Sequence, residues 1–312
     1  MYKHGRGKKV AVCFVLYVEV WGFGHGPNFR PDTAARDPDV VDESFRQYAI
    51  NLGIPRVGRL FREQDAPLSI ALNALFPEEH PDVWRQFRLM VPKAPIIAHG
   101  INNSTELLPL GRGLDAQKAY VRRTLDLIER GTGVRPSGWS SRSVYPNADT
   151  FAAAAAEGIS YSLDAMDSDV LSRLATKSGS LVLVPYPVVT VDMGHYLERS
   201  KDPSDMERLW TDYVTELARD AGPLPTGKPP SSRSASIPLS LARPPAPQHC
   251  AGFSKISRNR SSCGLLISKR YWTLAERSRS PERKEEGCHS LLVRRHGGHR
   301  RCAASRGRSA RR

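Results

Sequence analysis

Residues 10–18 read VAVCFVLYV and run directly into Glu19. An unbroken apolar run of this length, rich in β-branched side chains, predicts a strand that is buried on both faces. Lys8 and Lys9 precede the run, but bulky Trp21 and no small-x-small cleavage site follow it, which favours a strand over a signal peptide. Because a carboxylate is costly to bury unless it is paired, Glu19 is a candidate functional residue.

Four shorter runs share this apolar, β-branched character, and they cover residues 68–73, 96–99, 159–163 and 181–186. Helical patterns separate these runs. Alternation of fully apolar strands with helices predicts parallel strand pairing with the helices outside the sheet. On this pattern alone, an open sheet and a closed barrel both remain open.

Three helices have recognisable ends. Gly131 or Gly133 can close the helix that precedes it, and Asp149 is a candidate N-cap for an Ala-rich helix over residues 150–157. Ser204 has the spacing of a capping box, which predicts a further helix between it and Gly222.

The formal net charge of +14 is concentrated at one end of the chain. Residues 1–222 hold 26 Lys and Arg against 28 Asp and Glu, whereas residues 223–312 hold 20 against 4. The apolar fraction of 40% excludes a collagen-like or wholly disordered chain, and no run approaches the roughly 18 apolar residues of a transmembrane helix. Only Cys13 lies in the first region, so we expect no disulfide framework there and a cytoplasmic location.

The last ninety residues differ in kind from the rest. Pro and Ser dominate residues 223–247, Arg and Ser dominate from residue 258 onward, and no strand or helix periodicity persists. We therefore predict a folded domain over residues 1–222 and a disordered basic tail over residues 223–312. Two alternatives are a non-catalytic protein whose tail binds nucleic acid or acidic partners, and a zinc module formed by the Cys and His residues between 288 and 302.

Active sites of parallel α/β folds lie at the carboxyl ends of the strands. Polar or aromatic side chains stand at or near these predicted ends, namely Glu19, Asn73, His99, Trp139, Asp164 and Tyr186. A structural role competes for two of them, since Trp139 can be a packing residue and Asp164 a helix cap.

The order and spacing of several segments resemble the polysaccharide deacetylase superfamily (NodB-like, carbohydrate esterase family 4-like), closest to its allantoinase-like PuuE branch. The resemblance extends from residue 10 to about residue 220, and it rests on residues 10–21, FRQY at 45–48, IALNA at 70–74, AHGINNS at 98–104, TGVRPSGW at 132–139 and LVPY at 183–186. It implies an α/β fold, a distorted (β/α) barrel that here is incomplete at the C-terminus. It also implies a hydrolase of carbon–nitrogen bonds other than peptide bonds, acting on a small amide, a cyclic ureide or imide, or an N-acetylated sugar. No membrane partner is expected, and homo-oligomerisation is left open.

Metal-dependent members of this superfamily carry an Asp–Asp pair after the first strand and a His-x-x-x-His motif, and their metal activates a water molecule. Here Val18 and Glu19 stand at the Asp positions, His99 matches the first His, and Asn103 replaces the second. A neutral amide is a poor zinc ligand, so we expect no metal cofactor; if a zinc ion binds, Glu19 and His99 are its ligands. The resemblance thus implies Glu19 and His99 as catalytic residues, with a substrate pocket lined by Asn73, Asn103, Trp139, Asp164 and Tyr186.

A shifted reading frame would explain the tail, because the superfamily also has a late strand with a His-Pro motif that the tail lacks. When the third base of each codon is joined to the first two bases of the next, residues 234–243 permit Gly-Ile-His-Pro-Phe-Val-Ser-Gly-Thr-Pro. Over residues 249–266 the same frame permits an amphipathic helix followed by a strand. We predict a one-nucleotide slip near Gly222. The resulting chain lacks the His-Pro motif, and for that reason it can be inactive.

Resequencing the gene tests this prediction. We expect one base too many or too few near the codon for Gly222, and an uninterrupted frame through that region would contradict the slip.

Overall fold

The computed structural model describes residues 10–26, 37–192 and 202–220, together with the backbone of residues 233–239 and 263–265. All strands in these residues belong to one sheet. These residues belong to one compact unit, Met1–Arg279. A second unit, Ser280–Arg312, lies outside the described residues, and so does the zinc module considered above.

The sheet has nine strands in the order β6-β7-β5-β4-β3-β2-β1-β8, and β9 also pairs with β1. All pairs are parallel except β6 with β7. The strands are β1 Val10–Val18, β2 Leu68–Leu72, β3 Ile96–Ala98, β4 Gly138–Trp139, β5 Tyr161–Ala165, β6 Ser172–Thr176, β7 Gly179–Pro185, β8 Arg233–Leu239 and β9 Cys263–Leu265.

Helices connect most of the parallel strands, as the alternating pattern predicts. They are α1 Val40–Tyr48, α2 Ile54–Glu63, α3 Phe76–Glu79, α4 Pro81–Met90, α5 Gly113–Thr132, α6 Ala148–Ala156 and α7 Pro203–Asp220. A π-helical turn, Ala49–Gly53, joins α1 to α2. Gly133 ends α5 in the left-handed conformation (φ 71°), where a glycine avoids the steric cost of a Cβ atom.

Alternate side chains of β1 enter two different hydrophobic clusters, as expected for a strand buried on both faces. Val12, Phe14 and Leu16 pack in a large cluster that includes residues of α2, α4, α5, α6 and α7. Val15 and Tyr17 pack in a second cluster, whose members come from the strands and the residue after β7. The second cluster therefore fills the inside of a barrel, and the first lies between the strands and the surrounding helices.

β8, at one end of the strand order, approaches β7, the last parallel strand at the other end, as the barrel requires. Residues of β7 and β8 come within 8 Å at their Cα atoms, although no ladder joins these two strands in the described backbone. The predicted α/β fold, a distorted barrel of parallel strands surrounded by helices, is confirmed.

Two helix caps differ from their predictions. Asn147, rather than Asp149, caps α6: its side chain accepts from the Thr150 amide, and the Thr150 side chain bonds back to the Asn147 amide. At α7 the side chain of Asp202, rather than that of Ser204, accepts from the amides of the first turn. In both helices an equally good capping residue stands two positions earlier, and it determines where the helix begins.

The predicted disordered tail requires a correction over two short segments. β8 pairs with β1 from Val10 to Leu16, and β9 pairs with β1 from Val10 to Val12. The sheet is therefore not left open along β1, because backbone N–H and C=O groups can pair whatever side chains they carry. The rest of residues 223–312 lies outside the described residues, so the domain boundary at residue 222, the frame slip and the nucleic-acid-binding alternative stay predictions.

None of the helices in the described parts of the chain combines the length and apolar character that a membrane crossing needs. The cytoplasmic location stays a prediction.

The packing between β4 and β5 is tight enough to test. A Cβ atom added at Gly138 would overlap the ring of Tyr161, which is itself buried inside the barrel. We expect Gly138→Ala to lower the free energy of unfolding by about 1–3 kcal/mol, the usual cost of overpacking, as measured by urea denaturation. The matched control is Gly111→Ala, because nothing lies within 4 Å of a Cβ atom built there. Equal stability of the two variants would contradict the prediction.

Candidate active site

Residues that follow β1, β2, β3 and β4 come together at one edge of the barrel. The amides of Asn73, His99 and Ser140 each donate to the carbonyl of the last residue of the preceding strand, at 3.0, 3.0 and 2.9 Å. The parallel register thus continues one residue past each strand. It places Glu19, which directly follows β1, in the same row of strand ends.

Glu19 and His99 are in direct contact. The Oε1 atom of Glu19 lies 3.1 Å from Nε2 of His99. The His99 side chain is 2% exposed and that of Glu19 is 26% exposed, so the imidazole is enclosed while the carboxylate still reaches solvent. The two residues predicted as catalytic therefore form one pair.

The second nitrogen of His99 determines where the protons of this pair lie. Nδ1 is 2.9 Å from the backbone carbonyl of Ser140. A carbonyl oxygen can only accept, so Nδ1 must carry a proton. Nε2 then faces Oε1 of Glu19, and a hydrogen bond between these two atoms requires a proton on one of them.

Asn73 joins the loops that carry these two residues. Its side chain accepts from the amide of Val20 at 2.9 Å and donates to the carbonyl of His99 at 2.5 Å. It is fully buried. The side chain predicted to line the pocket thus bonds to backbone on both sides of the Glu19–His99 pair.

Asn103 lies beside the same loop but is bonded differently. Its backbone N–H group donates to the carbonyl of Val20 at 2.8 Å, and its side chain is buried. The side-chain oxygen Oδ1 has no hydrogen-bond partner in the described structure. An orphaned buried polar atom is rare in proteins, so the free acceptor capacity of this oxygen requires an explanation.

Asp164 is held by the loop that follows β4. Its Oδ1 accepts from the amide of Ser141 and its Oδ2 accepts from the hydroxyl of Ser141, both at 2.7 Å. The hydroxyl of Ser141 also accepts from Nε1 of Trp139 at 2.9 Å. Trp139 and Asp164 are both buried, so the two residues predicted for the pocket belong to one internal hydrogen-bond network.

Tyr17 packs against the imidazole, and Tyr186 packs against Tyr17. The Tyr17 ring makes an edge contact with the His99 ring at 4.8 Å and with the Tyr186 ring at 6.2 Å, and its hydroxyl lies 3.1 Å from Oγ of Ser140. Burial raises the pKa of both phenols well above the usual value, so each stays neutral at physiological pH. Tyr186, predicted for the pocket, therefore contacts the site through Tyr17.

Three residues of this network lie outside the sequence-based prediction: Tyr17, Ser140 and Ser141. For Tyr17 the available signal was its position two residues before Glu19, which places both on the same face of the strand. The serines follow Trp139 directly, but the two-residue strand before them is too short to be recognised from its sequence.

The carboxyl group of Asp164 has an unusual acidity. Burial raises its pKa from 3.8 to about 6, although the hydrogen bonds from Ser141 and the nearby His99 act in the opposite direction. The group is thus mainly ionised at pH 7 and protonated at pH 5.

The residues at this site do not fit a catalytic zinc ion. Such sites generally present three protein ligands drawn from His, Cys and carboxylates. In the described residues no group of three such side chains is arranged to hold a metal. Asn103 contributes only a neutral amide, and Glu19 and His99 are bonded to each other. We therefore derive no step through a metal.

Solved structures with the same fold include two proteins assigned as polysaccharide deacetylases. The one from Mycobacterium smegmatis has a TM-score of 0.69 and 20% identity over 95% of this chain and 97% of its own. The one from Pseudomonas aeruginosa PAO1 has a TM-score of 0.69 and 17% identity over 88% and 93% of the respective chains. PuuE allantoinase has a TM-score of 0.71 and 20% identity over 90% and 94%.

No protein-family profile matches this sequence, and no curated protein matches it either. At these identities the structural similarity establishes the fold. The predicted resemblance to the NodB-like superfamily is confirmed at that level, and the activity has to be argued from the site.

The acidity of Asp164 gives a pH dependence of stability. Its pKa is raised in the folded chain, so between about pH 4 and pH 6 the folded state binds a proton that the unfolded state has lost. Stability therefore falls as the pH rises through this window, by about 3 kcal/mol. Asp164→Asn removes this contribution, so we expect the wild type to lose about that much relative to the variant between pH 4 and pH 7, measured by urea unfolding at each pH.

The control is Asp167→Asn, which removes an exposed carboxylate three residues away. Its stability should follow the wild type across the same pH range. A constant difference between wild type and Asp164→Asn would contradict the raised pKa.

Proposed function

We propose that this chain, which has the fold of the polysaccharide deacetylase (NodB-like) superfamily, hydrolyses a carbon–nitrogen bond other than a peptide bond in a small molecule. The observation that carries the proposal is the Glu19–His99 pair, in which Oε1 of Glu19 lies 3.1 Å from Nε2 of His99. The pair lies at the carboxyl ends of the strands, where barrels of parallel strands place their chemistry.

Glu19 is the general base in this proposal. Its partly exposed carboxylate can contact a water molecule beside the substrate carbonyl. As the water oxygen bonds to the carbonyl carbon, Glu19 accepts a proton from that water. As the carbon–nitrogen bond breaks, Glu19 returns the proton to the leaving nitrogen. The carbonyl carbon ends as a carboxylic acid and the leaving nitrogen as an N–H group, which in a cyclic ureide or imide stay on one ring-opened product, and the base is regenerated.

His99 supports Glu19 in both steps. With Nδ1 committed to the Ser140 carbonyl, the Nε2–H group donates to Glu19 and stabilises its carboxylate before the attack. The enclosed ring, in contact with Tyr17, has little freedom to turn away. His99 thus keeps the carboxylate oriented while the proton moves.

Asn103 is the best candidate for direct contact with substrate. Its buried Oδ1 has no partner in the described structure, so an N–H group of a ureide or imide would satisfy it. Tyr186 would form part of the apolar wall. Asn73, Trp139 and Asp164 are bonded within the protein and support this surface from behind.

The lack of a complete set of metal ligands among the described residues of this site favours a cyclic ureide or imide over an N-acetylated sugar as the substrate. Removal of an acetyl group in the metal-dependent members relies on a metal-activated water, and the residues here do not form such a site. A strained or electron-poor ring carbonyl requires less activation, which a single general base can supply.

An activity panel with and without a chelator tests the proposal. The chain, and the product of a gene with the frame restored near residue 222, would be assayed against allantoin, a cyclic imide and a chitooligosaccharide. We expect chelator-resistant ring opening, and we expect Glu19→Gln to lower kcat by about 10²–10⁴-fold because it removes the general base. The matched control is Glu63→Gln, which changes an exposed carboxylate on α2.

Release of acetate that a chelator abolishes would replace this substrate assignment with a deacetylase. Ring opening that survives Glu19→Gln unchanged would overturn the assigned base. Absence of turnover by both proteins on every substrate would count against the proposed hydrolase.

A further inference from the structure

We propose that Asp164 is a positioning residue that acts on His99 through the peptide bond between Ser140 and Ser141. The proposal deepens the proposed function, because its effect on turnover depends on the Glu19–His99 pair being catalytic. Its effect on the imidazole itself does not depend on that function.

A single peptide group separates the carboxylate from the imidazole. His99 donates from Nδ1 to the Ser140 carbonyl at 2.9 Å, and the Ser141 N–H group donates to Oδ1 of Asp164 at 2.7 Å. The carbonyl of Ser140 and the N–H of Ser141 belong to the same planar, conjugated unit. Asp164 and His99 therefore bind its two opposite ends.

This arrangement makes the Ser140 carbonyl a stronger acceptor. A hydrogen bond from an N–H group to a carboxylate is short and charge-assisted, and it polarises the amide so that more negative charge lies on the oxygen. Hydrogen bonds in such chains strengthen one another, by roughly 10–30% per bond. The consequence is a firmer bond from Nδ1–H of His99, which keeps Nε2 directed at Glu19.

Asp164 resembles in this respect the carboxylate of a hydrolytic triad, which orients the histidine and fixes its tautomer. Here the carboxylate does not touch the ring. It acts one peptide group away, and its negative charge stays away from the contact between His99 and Glu19.

The carboxylate is itself immobilised. Its second oxygen accepts from the Ser141 hydroxyl, which in turn accepts from Trp139, and its own amide bonds to the hydroxyl of Ser162 at 3.1 Å. Both carboxylate oxygens are thus committed within the protein, and the residue is buried. For this reason we assign Asp164 to positioning rather than to the substrate contact that the sequence suggests.

A merely structural role would not require a charge. A neutral amide could accept from the Ser141 N–H group equally well in geometric terms, and burying a carboxylate is costly. What only the carboxylate supplies is the polarisation of the peptide group that holds His99. The variant that isolates this property is Asp164→Asn, which keeps the size and an acceptor but removes the charge.

Nitrogen-15 NMR of the histidine rings in the full chain tests the proposal directly. The His99 signals are identified by their loss in His99→Gln. In the wild type we expect Nδ1 of His99 to be protonated and protected from exchange with water. In Asp164→Asn we expect a mixture with the tautomer protonated only at Nε2, and at least tenfold faster exchange of the Nδ1 proton, whereas Asp167→Asn should match the wild type.

Kinetics supply the second measurement on the same variants. Asp164→Asn should lower kcat by about tenfold to a hundredfold, the usual effect of removing a group that orients a catalytic ligand or base. KM should stay within about twofold, because the residue does not contact substrate. Unchanged His99 signals in Asp164→Asn would overturn the proposal, and so would an unchanged kcat in a wild type that turns over substrate.

The two proposals fail separately. If the wild type hydrolyses nothing, the proposed function fails, and the NMR comparison still decides whether Asp164 controls the imidazole. If Asp164→Asn does not fold, Ser141→Ala serves instead, since it removes one anchor of the carboxylate and leaves the peptide bond in place. A smaller change of His99 in the same direction supports the proposal, and no change overturns it.

Discussion

The hydrogen bond from Nδ1 of His99 to the carbonyl of Ser140 is the constraint on which the site depends. It fixes the tautomer and directs Nε2 at Glu19, its partner among the residues that the structure describes. The bond exists only because β3 and β4 pair in a register that places their last residues, Ala98 and Trp139, opposite each other. β4 has two residues, Gly138 and Trp139, so a short strand held by the close packing of Gly138 against Tyr161 determines the geometry of the imidazole.

The sequence predicts the buried apolar strands of the fold better than its short or half-exposed strands. β1 has the predicted bounds, and the other four apolar runs each coincide with a strand to within about two residues. β4 was not predicted because two residues carry no periodicity. β6 was missed because its side chains are half exposed, so Ser172–Thr176 lacks the apolar run that marks the buried strands.

The candidate site could be predicted in part for the same reason. Glu19, Asn73 and His99 stand at the ends of strands that can be recognised, and the rule that chemistry collects there is enough to group them. The functions of Asn73 and Asp164 could not be predicted, because each depends on which backbone group lies opposite in space. That information is set by the parallel register between strands that are distant in sequence.

The departures from the metal-dependent pattern are mutually consistent. Val18, at the position of the base Asp, is fully buried and packs with the core on the helix side of β1. A carboxylate there would lie in an apolar cluster and not in the site. Glu19 extends one residue further, where its side chain reaches both His99 and solvent. At the position of the second His, Asn103 presents a buried side-chain oxygen without a partner in the described structure, so a neutral acceptor stands where the metal-dependent pattern has a ligand.

The end of β1 that carries Glu19 depends more on β2 than on the strands contributed by the last ninety residues. β8 accompanies β1 only as far as Leu16, whereas β2 pairs with it through Val18. Asn73 then continues this contact past the strand, through its bonds to the backbone of Val18 and Val20. A ladder between backbones tolerates almost any side chain, so the pairing of β8 with β1 does not depend on whether its sequence comes from the native reading frame. Glu19 keeps its position because the residues that hold it precede residue 222.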